Sequence, residues 1–166
     1  MAQLNHGGRQ VALPAPGADR VSASDVRERL FGTKSSPLSM DELAGWSSCS
    51  WQRGADPRGG FDGVQIHAAH GFLLSQFLTP HTDRRTDAYG GTLDNRARLL
   101  VEILRGLRSR LGDDYPVLVK MNGTDDLPFG KGATTEELVR VAVRLRDEER
   151  STPSRSPAAR TNRGPA

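Results

Sequence analysis

The 166-residue sequence holds a single cysteine, Cys49, so it can form no internal disulfide and no multi-cysteine metal or iron–sulfur site. Aromatic residues make up only 5% and hydrophobic residues 36%, with a mean hydropathy of −0.55. That allows one domain with one core, but not a core running the whole length. No apolar run approaches the ~18 residues of a membrane span. The opening MAQLNHGGRQ also lacks the basic-then-apolar layout of a secretory leader. These absences make the cytoplasm the expected compartment and a membrane an unexpected partner. The net charge of +3 comes from 23 Lys+Arg against 20 Asp+Glu, too slight and too mixed in sign to point to nucleic acid.

What is present is concentrated in residues 61–148. FDGVQIH places Val64 and Ile66 in a short apolar run after a glycine, which predicts a buried strand of about five residues. VLVKM (117–121) predicts a second. Between them Leu99, Leu100, Ile103, Leu104, Leu107 and Leu111 recur at helical spacing from about Asn95, with Gly112 as the stop. Asp94 or Asn95 is the expected cap of that helix. Thr134 and Glu137 form a capping box ahead of a second helix, whose stripe is Leu138, Val141, Ala142 and Leu145. The strand–helix–strand–helix order implies parallel strands with helices outside, and long connections follow both strands. In α/β folds chemistry sits on such connections.

Two stretches break the pattern. Ser39-Met-Asp-Glu42 is a further capping box, yet the helix it announces is replaced by GWSSCSWQRGADPRGG (45–60), which has no Leu, Ile, Val, Met or Phe. That is a local contradiction between start signal and content. The tail 150–166 has four Arg, three Ser and three Pro and no large apolar residue, so it is expected to be disordered. The domain expectation is therefore one ordered unit over 1–149, with 45–60 an aberrant insert or loop.

Three constellations carry chemistry. His67 and His70 lie three apart at the end of the first strand and could aim two N–H donors at one substrate oxygen. The alternatives are two locally satisfied histidines or a weak metal pair, and no third ligand stands at readable spacing, so no metal is expected. Gln3, before the glycines of QLNHGGRQ, offers a donor and an acceptor, as the pyrimidine edge of a flavin or a base requires; an ordinary polar turn fits equally. Lys120, ending VLVKM, either reaches solvent or holds a cation against an anionic ring. The loop 81–99, dense in Arg, Asp and Gly, reads as a structured loop tied by Arg–Asp pairs.

FDGVQIHAAHGFLLSQFLTPHTDRRTDAYGGTLDNRARLLVEIL strongly resembles the signature stretch of the Old Yellow Enzyme family, the FMN-dependent NADH:flavin oxidoreductases and ene-reductases. QLNHGGRQ resembles that family's third barrel strand, and PVLVKMNGTD its fifth. The resemblance implies an α/β fold, a partial TIM (β/α)8 barrel built of central βα units, with FMN at the strand C-termini. It implies that Gln3 bonds the flavin pyrimidine, that Lys120 stands beside N1 and O2, and that His67 and His70 hold the substrate oxygen. NAD(P)H would then reduce FMN, and hydride would pass to an α,β-unsaturated carbonyl or quinone-like acceptor. Phe72 stands where many members carry a proton-donating tyrosine.

Relative to the family, the first two and last three strands are expected to be missing, together with the late loops that hold the FMN phosphate. The chain thus reads as a fragment, with 45–60 and 150–166 expected to be frameshifted segments or wrongly predicted coding sequence. The alternative to an active oxidoreductase is a catalytically inactive truncated remnant without stable FMN binding.

Overall fold

The computed structural model describes residues 1–12, 19–28, 32, 34–46, 59–128 and 131–151. In chain order its elements are β1 (Ala2–Leu4), β2 (Val21–Ser22), β3 (Ser36–Pro37), α1 (Met40–Gly45), β4 (Val64–Ala68), α2 (Leu73–Leu78), α3 (Leu93–Leu111), β5 (Val117–Met121) and α4 (Thr135–Ser151). A short 3-10 turn, Gly8–Gln10, follows β1. Strands β1, β4 and β5 form a parallel sheet in that order. Strands β2 and β3 form a separate parallel pair. The three strands read from sequence are therefore the three strands of the main sheet. Among the described residues the sheet is open, with β1 and β5 each paired on one side.

The core lies between that sheet and the helices. Val64, Ile66 and Ala68 alternate onto one face of β4, where Leu73, Leu74, Phe77, Leu99, Leu100, Ile103 and Leu107 join them in a single buried cluster. Helix α4 adds Leu138, Val141 and Leu145. Ala142, expected in that stripe, faces solvent instead. The Thr134–Glu137 box forms in both directions, at 3.2 and 3.1 Å. Arg96, 4% exposed, donates from one guanidinium to the Leu78 carbonyl and to Glu137, so α2, α3 and α4 meet on a single buried cation.

Several expectations are corrected. The Ser39 box does start a helix: Ser39 Oγ accepts from the Glu42 N–H, Glu42 returns the bond, and Leu43 at 0% exposure anchors six helical residues. A completed box and one buried leucine suffice for a turn and a half that propensity alone would not sustain. Helix α3 starts two residues early, at Leu93, capped by Thr92, whose Oγ accepts from the Asn95 N–H. Asp94 lies in the first turn and pairs with Arg144, and Asn95 bonds the Gly90 carbonyl. The connection after β4 contains α2, whose six residues LLSQFL are all buried, the polar Ser75 and Gln76 included. The helix before the tail continues through 150 and 151, where disorder was expected. Most of the 45–60 stretch (47–58) and the rest of the tail (152–166) lie outside the described residues.

The loop 81–92 is tied as expected. The Arg85 guanidinium forks onto Asp87 and also donates to the Ala23 and Leu38 carbonyls, at 3.0 and 2.6 Å. It thereby holds the β2–β3 excursion against the body.

Candidate active site

Register places the site. Residues paired across neighbouring parallel strands point to the same face. Gln3 pairs with Gln65, Leu118 with Gln65, and Lys120 with His67. One face of the sheet therefore carries Gln3, Gln65, His67, Leu118 and Lys120, and it is the face away from α2–α4. By strand spacing and the two-residue offset between them, Gln3 and Lys120 stand roughly 12 Å apart across it, with β4 between them. All four residues singled out in the sequence come together here, His70 entering from the turn just past β4. Neither the Gln3 carboxamide nor the Lys120 ammonium has a hydrogen-bond or ion-pair partner among the described residues.

His67 is 3% exposed, covered by the rings of His70 and Phe72, each with its centroid 5.0 Å away. Its Nδ1 accepts the Ala69 backbone N–H at 3.1 Å. The neutral ring must then carry its proton on Nε2, which points a donor away from the backbone. Burial lowers the His67 pKa, and the neighbouring His70 and Lys120 lower it further. The ring is accordingly a neutral donor at neutral pH. His70 stands edge-on to it at 83°, in a turn of φ +59. Phe72 caps the start of α2 and offers no dissociable proton.

The β1 loop and the β4 turn are interlocked. Leu73 N–H donates to the His6 carbonyl at 2.9 Å. Gln76, fully buried, donates from Nε2 to the Gly71 carbonyl at 2.8 Å, and Gly8 at φ +60 lies against that amide so closely that a Cβ would sit 2.5 Å from it. A Cβ on Gly71, at φ +74, would meet Gln10 Nε2 at 2.7 Å. Both positions favour glycine for conformation, and Gly8 also for space, because the Gln76 amide it meets is buried and hydrogen-bonded. Beside this, His6 accepts the Gly8 N–H on Nδ1 and meets the Trp46 ring edge-on at 4.7 Å.

Sequence reasoning missed Gln76 and Asn122. Gln76 sits beside Ser75 as the larger of two polar residues in an otherwise apolar segment, a signal that was legible. Asn122, one residue past β5, accepts the His70 backbone N–H at 3.0 Å and carried no comparable mark. Among the described residues no group of three or more His, Cys, Asp or Glu could hold a metal, and no helix is long and apolar enough to cross a membrane.

The profile of the NADH:flavin oxidoreductase / NADH oxidase family matches residues 48–162. An NADH oxidase of Thermoanaerobacter brockii is 33% identical over 147 residues, which is 87% of this chain and 22% of that protein. The NADH-dependent flavin oxidoreductase nadA of Aspergillus parasiticus is 38% identical over 142 residues, covering 78% and 30%. Among solved structures, a 2-naphthoyl-CoA reductase in complex with 2-naphthoyl-CoA superposes with a TM-score of 0.74 at 27% identity, over 87% of this chain and 24% of that one. Morphinone reductase in complex with tetrahydroNAD gives 0.69 at 28%, over 89% and 46%. The chain thus spans between about a fifth and a half of the length of these relatives, and its fold is the matching part of their TIM barrel, without closure. FMN with NAD(P)H as reductant is the cofactor set of this lineage, also represented by the Old Yellow Enzymes. By profile match and by shared fold, the chain belongs to the NADH:flavin oxidoreductase / NADH oxidase family.

Proposed function

We propose that the chain carries the flavin-facing and substrate-facing part of an FMN-dependent oxidoreductase that passes hydride from NAD(P)H to an activated alkene or quinone-like acceptor. One observation supports this above the others: Gln3, His67 and Lys120 share one open face of the sheet by register, with the His70 ring 5.0 Å from that of His67. The donor set fits the polar end of a flavin ring. A carboxamide supplies a donor and an acceptor, and an ammonium supplies positive charge where a reduced ring becomes anionic. Neither group is already engaged by a described protein partner. When bound, FMN supplies the hydride.

The chain's own residues do the rest. Gln3 orients the ring's pyrimidine side, and Lys120 stabilises its negative charge. His67, neutral and protonated on Nε2, donates to the oxygen of an α,β-unsaturated carbonyl, and His70 donates beside it. Two donors on that oxygen draw electron density from the conjugated carbon and make it the hydride acceptor. Phe72 places an apolar ring next to His67, so the proton for the adjacent carbon comes from solvent.

The purified chain incubated with FMN and desalted tests the proposal. Retained yellow colour and a long-wavelength charge-transfer band on adding a phenol are the expected results, and the band should vanish in His67→Ala. A colourless eluate would instead favour a remnant that keeps the residues of the lineage without binding its cofactor.

A further inference from the structure

We propose that Asn122 and Asp125 are positioning residues that clamp the His70 turn from the end of β5 and thereby hold the two imidazoles as a pair. The ligand of that pair rests on the function proposed above; the clamp itself does not. His70 is the one non-glycine residue at positive φ among those described, at +59. An L-residue in that region carries a steric cost, so the surroundings must hold it there.

The holding contact comes from 52 positions away. Asn122 Oδ1 accepts the His70 backbone N–H at 3.0 Å, and register explains why it can: Met121 pairs with Ala68, so residue 122 leaves the sheet beside the turn. The other end of the same carboxamide donates from Nδ2 to Asp125 Oδ1 at 2.6 Å. Only one orientation of the amide serves both partners, because the flipped one sets oxygen against carboxylate and NH2 against N–H. Asp125 is fixed in turn. Its own N–H donates to the Ala133 carbonyl at 2.9 Å, and the Ala133 N–H reaches its Oδ2 at 3.4 Å. The chain of contacts therefore runs from the start of α4 through Asp125 and Asn122 to the backbone of His70, and its product is the edge-on ring pair at 5.0 Å. No atom of Asn122 or Asp125 needs to touch a ligand for this to work.

The test uses the full chain without flavin. Asn122→Ala should speed hydrogen exchange at the His70 amide by about tenfold, the loss of one hydrogen bond. It should also weaken the ring-to-ring nuclear Overhauser effect between His67 and His70, while the Ile66 and Val119 amides stay protected. Asp125→Ala should move the same two signals less. The exchange of both side chains, Asn122→Asp with Asp125→Asn, returns an acceptor to the His70 N–H and a donor to that acceptor, and should restore both signals. An unprotected His70 amide in the wild type overturns the clamp. So does Asn122→Ala with both signals unmoved, or a double exchange that leaves them lost while the sheet amides hold. Should Asn122→Ala itself lose sheet protection, the double exchange decides alone. With FMN and a phenol added, a wild type with a protected His70 amide but no charge-transfer band fails the functional reading and leaves the clamp supported.

Discussion

The two faces of the same three strands are built from opposite materials. Toward the helices point Val64, Ile66 and Ala68, each no more than 1% exposed, with Val119 and Met121 packed against the same cluster. Away from the helices point Gln3, Gln65, His67, Leu118 and Lys120. A strand alternates sides every residue, so each strand serves stability and chemistry in turn. The covered helix side holds the fold together, and the other, open side collects residues of which only His67 is buried, beneath the rings of His70 and Phe72.

The largest effect should come from the covered side. Ile66→Ala or Leu100→Ala removes a fully enclosed side chain and should cost about 2–5 kcal/mol in denaturant unfolding. Flavin retention would be lost only through unfolding. On the open side Lys120→Met should leave the denaturation midpoint within about 0.5 kcal/mol of wild type. It should nevertheless weaken flavin retention by roughly tenfold or more, the scale of one lost charge-assisted contact. Gln3→Ala should weaken it less, for want of the charge. A large stability loss in either open-side variant would erase the distinction between the faces.

The smallest effect is a pH dependence. Burial pushes the Asp83 carboxyl up to about 7, against the opposing pull of Arg85 and Arg96. The folded state then holds a proton that the unfolded state has released, so this stabilisation is present in acid and fades as pH rises through about 7. Half-buried His6 and buried His67, whose pKa values desolvation lowers, act in the opposite sense. Their contribution is complete above the unfolded value near 6.5 and is lost as pH falls below it. Asp83 therefore lowers stability as pH rises from its unfolded value of 3.8 to about 7 and contributes no further slope above that, while the two imidazoles offset part of the fall near neutrality. Asp83→Asn should remove the downward contribution, so the melting temperature of wild type relative to the variant should fall from pH 5 to pH 7 and level off above it.

The readable parts of the sequence were those where one local rule decides. Strands β4 and β5 follow from short runs that carry Val and Ile, and α4 from a box that closes on itself. Gln3, His67 and Lys120 were singled out by the family resemblance, since their local patterns left bland readings open, and register then brings the three to one face of the sheet. The illegible parts depend on tertiary context. Helix α1 exists because Leu43 finds a buried place, which no pattern within 39–45 announces. Helix α2 was obscured because burial on every side removes the periodicity that marks a helix. Asn122 gives no sign of its own, since its importance comes from a turn that precedes it by 52 residues.

The meshing of Gly8 and Gly71 with Gln76 and Gln10 has a consequence for how variation in this chain is to be interpreted. These glycines bear no functional group, yet they act as a gauge block between the strand end bearing Gln3 and the corner bearing both histidines. A methyl at either would push into the Gln76 or Gln10 amide and displace it, disturbing the seam between that strand end and that corner. A shifted spacing between Gln3 and the two histidines is therefore the change to look for at positions 8 and 71, where no side chain exists to suggest it.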